Sequence, residues 1–114
     1  MTIDFTQVVT AEIKAQTAQA AFVEGIRQAV DAHVEATAKG KGYNGAAHCA
    51  SYAQSTVPDW AAEAAAFIAW RDAVWLAVFS RLAAVMAGQE APPADAAAVV
   101  ADLPAMVWPS AQGG

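Results

Sequence analysis

The chain has 114 residues, enough for one modest hydrophobic core but not two. Hydrophobic residues make up 57% and charged ones only 15%, against about 25% in ordinary soluble domains, so part of the apolar surface is expected to be covered by other copies or by a larger assembly. A net charge of −5 and only six basic residues, scattered along the chain, exclude the basic footprint of a nucleic-acid binder and leave no basic amphipathic face for a membrane surface.

Thirty-two alanines favour helix but supply little apolar area each, so the few large side chains must carry the packing. Cys49 is the only cysteine, which rules out an internal disulfide. Met1-Thr2-Ile3-Asp4-Phe5 lacks a basic region followed by an apolar run, so no secretory leader is expected.

Residues 1–6, where Ile3 and Phe5 alternate with polar neighbours, are expected to form a short arm with some extended character. Residues 7–38 then read as a long helix. Phe22, Ile26, Val30 with Ala29, and His33 recur at spacings of three and four and define one apolar stripe. Glu12, Glu24, Arg27, Gln28, Asp31 and Glu35 supply the polar side. Lys39-Gly40 provides a stop signal, and residues 39–45 form a glycine-rich loop. A short helix over about residues 46–54 follows. Ser55 or Thr56 is placed to cap the next helix, with Pro58 in its first turn, where a missing N–H does no harm.

Residues 58–87 form the second long helix, apolar on nearly every side and closed by Gly88; such a helix must be enclosed by its own chain or by other copies. Arg71, Asp72 and Arg81 within it would each cost about 2.5–3.5 kcal/mol at a bilayer centre, so it is not expected to cross a membrane. Ala91-Pro92-Pro93-Ala94 is a rigid connector, and residues 95–102 make a short last helix with Asp95 at its positive end. Pro104 stops that helix, residues 105–109 form an extended apolar strip, and residues 110–114 form a flexible tail.

Chemistry-bearing residues are few. Arg71 is within reach of Trp75, one turn later, for a cation–π contact, whereas Asp72 is expected to diverge from Arg71 and meet a donor on another helix. His33, His48 and Cys49 are the only soft metal ligands and lack the paired spacing of a zinc site, so no metal is expected. His33 reads as a core histidine with one hydrogen bond, and adjacency does not make His48 and Cys49 a nucleophile pair. Gly40-Lys41-Gly42 lacks the spacing and the preceding strand of a phosphate loop. The aromatic set Tyr43, Tyr52, Trp60, Trp70, Trp75 and Trp108 reads mainly as core. Met106, Val107 and Trp108 would be costly to leave in water, so the closing strip either folds back over the helices or docks into a partner.

Several pieces of the chain together resemble a family of small proteins of tailed bacteriophages and prophages, found among tail, baseplate and tail-fibre genes. They are Ile3-Asp4-Phe5, Gly42-Tyr43-Asn44, Ser51-Tyr52-Ala53, Glu63-Ala64, Trp70-Arg71-Asp72-Ala73-Val74-Trp75, Gly88 and the closing residues 103–109, which begin Leu103-Pro104 and end Val107-Trp108-Pro109. The resemblance covers nearly the whole chain and implies a role in tail construction without enzymatic activity, cofactor or catalytic residue. It leaves open a virion component or a tail-fibre assembly chaperone absent from the mature particle.

The expected architecture is therefore an all-α single domain over residues 1–109. Two long antiparallel helices pack with one or two short helices and an extended C-terminal apolar segment. Trp70, Trp75 and Phe79 are expected in the core, Arg71 and Asp72 in a packing contact, and Met106, Val107 and Trp108 at a docking strip. Expected partners are other tail or tail-fibre proteins and further copies of the chain, with no nucleic acid, membrane or cofactor. The expected location is the tail region of the virion, and the host cytoplasm during assembly.

Overall fold

The computed structural model describes residues 5–109, with the side chains of Lys14 and of residues 18–109. Among these residues there is no strand; the chain is all-α. Helix α1 spans Phe5–Lys41, α2 spans Ala46–Ala50 and runs into a 3-10 turn over Ser51–Gln54, α3 spans Pro58–Met86, and α4 spans Ala96–Ala101. The long helices are antiparallel, because contacts between them run in opposite order along each: Tyr43 meets Glu63, His33 meets Trp70, and Trp75 lies beside Glu24 and Arg27.

The first helix differs from the sequence expectation at both ends. Phe5 and Thr6, expected in an arm, are helical, and residues 1–4 lie outside the described residues. The helix also runs past Gly40 and stops at Gly42, whose φ of 109° is the left-handed conformation that glycine adopts at least cost. The Tyr43 N–H donates to the Ala38 carbonyl (3.2 Å) and the Gly42 N–H to the Lys39 carbonyl (3.0 Å), closing the helix in a Schellman motif. Gly88 closes α3 in the same way, with φ 76°, the Gln89 N–H on the Ala84 carbonyl and its own N–H on the Val85 carbonyl.

The inner face of α1 is the i, i+4 row Ile26, Val30, Val34 and Ala38, all buried. The expected stripe thus continues through Val34, with His33 only half-buried and edge-on to Trp70 at 5.7 Å, in place of the single hydrogen bond expected of it. Helix α3 contributes Ala64, Phe67, Trp70, Val74 and Val78, and α4 adds Val99. One end of the bundle is aliphatic, built on Ile26, Val30, Val74, Val78 and Val99. The other is aromatic and holds α2.

Local signals set the shorter elements. Pro58 occupies the first turn of α3 as expected, but Val57 is the N-cap and no side chain caps the helix. The Ser55 hydroxyl instead accepts from the Val57 N–H (3.0 Å), stabilising the turn before the helix. Asp95 caps α4, its carboxylate accepting from the Ala98 N–H at 2.8 Å. Arg81 ties this helix to α3, with Nη1 3.0 Å from the Asp102 carboxylate and Nε 3.4 Å from that of Glu90. Asp95→Ala is expected to lower stability by about 1 kcal/mol, and Asp95→Asn to restore most of it, because asparagine caps about as well. Urea unfolding of the three proteins checks this.

Candidate interaction surface

The closing strip folds back onto α3. The Trp70 indole N–H donates to the Pro104 carbonyl at 2.7 Å, anchoring the strip where it leaves α4. Trp108 lies almost parallel to Phe67 (6.0 Å, 8°) and also stacks near Tyr43 (6.4 Å, 26°). The Lys41 ammonium sits 5.6 Å from the Trp108 ring centre. This is the cation–π contact among the described residues; the one expected between Arg71 and Trp75 is not formed. Met106 packs half-buried against the core, while Val107 is 79% exposed. Of the three strip residues, two are thus engaged within the chain and one faces out.

Arg71 and Asp72 correct a second expectation. Arg71 Nε and Nη2 both reach Asp72 Oδ1, at 3.2 and 3.1 Å. Adjacent helical Cβ atoms do diverge, but the long arginine arm folds across the surface to close the gap. Asp72 therefore has no partner on another helix among the described residues, and this exposed pair contributes little to stability.

The core assignment of Phe79 is also overturned: it is 55% exposed. One position beyond the buried Val78, it is rotated by about 100° away from the inner face. Its ring leans on half-buried Trp75 at 5.8 Å, and it shares the outer face of α3 with Leu76 (68% exposed) and Met86 (57% exposed). Leu76 and Met86 were missed by sequence reasoning, and their positions three before and seven after Phe79, on one helical face, were the available signal. Three large apolar side chains turned to solvent on one face are more than isolated surface exposure, and such patches mark contact sites.

A polar and aromatic recess of about 380 Å³ lies at the other end, lined by Tyr43, His48, Tyr52, Asp59, Trp60 and Glu63 among others. Most of its reactive groups already have partners within the chain. The Glu63 carboxylate accepts the Tyr43 hydroxyl at 2.7 Å and lies 3.6 Å from the Lys41 ammonium. His48 Nδ1 accepts the Asn44 N–H (3.0 Å), so Nε2 carries the proton that faces the Tyr52 hydroxyl at 3.3 Å. Tyr52 meets His48 and Trp60 edge-on, at 5.2 and 5.5 Å.

Cys49, beside His48 in sequence, is the buried residue of α2, and desolvation with the nearby Glu63 charge pushes its thiol up to about 11. It is not a thiolate near neutral pH, which speaks against a nucleophile. The Tyr43 phenol is also raised, first by burial and then by donating to the Glu63 carboxylate, a bond that ionisation would destroy. Both groups bind protons more tightly when folded. The Cys49 contribution to stability is therefore complete below the ordinary thiol value of 9 and is lost as pH rises from 9 towards 11, and the Tyr43 contribution begins to be lost only above the ordinary phenol value of 10. Urea midpoints are expected to fall over that window; a Cys49→Ala, Tyr43→Phe variant with an unchanged slope there would overturn the attribution.

Among the described residues, no three histidine, cysteine or acidic side chains cluster in a way that could hold a metal ion, and no helix is long and apolar enough to cross a membrane. No protein-family model, curated protein or solved structure matches the chain. The fold and surface together define an all-α domain with one unpartnered apolar helix face among its described residues.

Proposed function

We propose that the chain is a non-enzymatic structural or adaptor protein of the tail, baseplate or tail-fibre region of a tailed bacteriophage, working through contacts between subunits. The observation that carries this reading is the outer face of α3, where Leu76, Phe79 and Met86 stand in solvent although the chain has a complete core beneath them. A domain that leaves such a face open has it available for another protein. The resemblance of Trp70-Arg71-Asp72-Ala73-Val74-Trp75 and of the closing Val107-Trp108-Pro109 to tail-region proteins supplies the setting. The partners are other tail or fibre proteins and further copies of the chain.

Mass spectrometry of purified particles tests the reading. The expected result is the chain at a fixed ratio to a tail protein. Its absence from particles, together with recovery bound to a fibre protein in the infected host, would select an assembly chaperone instead.

A further inference from the structure

The outer face of α3 carries a seven-residue repeat. Ala69, Asp72, Leu76, Phe79, Ala83 and Met86 follow one another in alternating steps of three and four, the spacing of a coiled-coil seam, and all six are exposed. Phe67 and Val74, on the opposite side of the helix, are buried in the chain's own core. We infer that a second copy of the chain covers this face, the two α3 helices packing antiparallel about a two-fold axis that passes between Leu76 and Phe79. The dimer extends the adaptor reading and does not depend on it: it is decided on the purified chain, whereas a place in the tail is decided on particles.

The seam is self-complementary in one direction only. Antiparallel, Leu76 lies against the partner's Phe79, Ala69 against the partner's Met86, and Asp72 against the partner's Ala83. Small thus meets large in the outer layers, and the two bulky side chains share the centre. In a parallel pair every residue would meet its own copy, so that alanine faces alanine across a gap and Met86 collides with Met86. Charge points the same way. A parallel pair would set Asp72 beside Asp72, and like charges so placed oppose association. The antiparallel pair separates them by 11 residues, about 16 Å along the axis at 1.5 Å per residue. That exceeds the screening length of about 10 Å in ordinary salt.

The flanks favour a copy over a charged partner. Ala73 and Ser80 line one edge of the seam and Trp75 and Leu82 the other, none of them charged. The single charge within the seam, Asp72, has Arg71 of its own helix as an ion-pair partner and so calls for no basic residue from the facing chain. Two copies joined along α3 would bury roughly 1,000 Å² in all, near the lower limit of a specific interface.

Sedimentation of the purified chain at about 100 µM, where a contact of micromolar strength is filled, is expected to give twice the 11.7 kDa chain mass. Leu76→Ser with Phe79→Ser should return the monomer with unchanged helix content, since neither side chain belongs to the core, and its melting temperature should no longer rise with protein concentration. Orientation is read in a Cys49→Ala background by bridging with a short bis-maleimide. Ala69→Cys and Met86→Cys together should give a covalent dimer, and either alone should not. A monomeric parent chain, or a dimer that survives both serine substitutions, would overturn the proposal. Bridging by Ala69→Cys alone would overturn the antiparallel register.

Discussion

Replacing Trp70 by alanine is expected to lower the unfolding free energy by about 3–5 kcal/mol, among the largest effects of any single substitution in this chain. Trp70 is buried where α1, α3 and the closing strip meet, with the rings of Phe67 and His33 against it. Its removal leaves a cavity that the surrounding alanine-rich helices have few long side chains to fill. Trp70→Phe separates two contributions, because it keeps most of the ring volume but loses the indole donor to Pro104. That loss alone is expected to cost about 1 kcal/mol, since the exposed proline carbonyl turns to water. Urea unfolding followed by circular dichroism gives both numbers. A Trp70→Ala effect below about 1 kcal/mol would mean that the aromatic junction is not the centre of the fold.

Removing residues 104–109 carries the second large effect. It strips Trp108 from the rings of Phe67 and Tyr43, takes Met106 off the core and leaves the Trp70 indole without its acceptor. The expected loss is about 3 kcal/mol, equivalent to a fall in Tm of roughly 10–20 °C for a domain of this size. Removing residues 110–114 should have a far smaller effect, because Ser110-Ala111-Gln112-Gly113-Gly114 has no side chain able to bury appreciable apolar area. Equal losses from the two deletions would contradict a docked strip. Trp108→Ala is the point version, expected to reproduce most of the larger deletion.

Features set by adjacent residues were the ones legible in the sequence. Pro58 opening α3, Gly88 closing it and Asp95 standing at the positive end of α4 depend on one turn of chain and formed as expected, although the side-chain cap that Asp95 makes was not foreseen. The end of α1 was placed too early because Gly40 and Gly42 are equally able to stop a helix. The choice fell to Gly42 because it lets the next residue, Tyr43, pack against the core and bond Glu63, 20 positions on. The orientation of α3 was similarly hidden. A helix apolar on nearly every side has no hydrophobic stripe to point inward, so α1 and α4, not its own pattern, decide that Val78 is buried and Phe79 exposed. The strip residues were correctly seen as costly in water, yet nothing local announces the Trp70 bond across 34 residues that holds them. The Arg71–Asp72 pair was missed for a different reason: Cβ directions were weighed and the length of the arginine arm was not.

The five-residue α2 is too short to persist as a helix by itself, and its backbone is held mostly by other elements. The Glu35 carboxylate of α1 accepts the Ala46 N–H at 2.7 Å and approaches Gly45 so closely that a Cβ there would lie 2.6 Å from it. His48 holds the Asn44 N–H, and Tyr43, His48, Tyr52 and Trp60 lean on one another edge to edge. None of these contacts survives the loss of its neighbours. The amide hydrogens of residues 44–54 therefore exchange with solvent as one cooperative group, at a smaller opening free energy than those around Ile26, Val30, Val74 and Val78. Each such opening uncovers Cys49, so the rate at which a thiol reagent labels this single cysteine times the event without any engineered site.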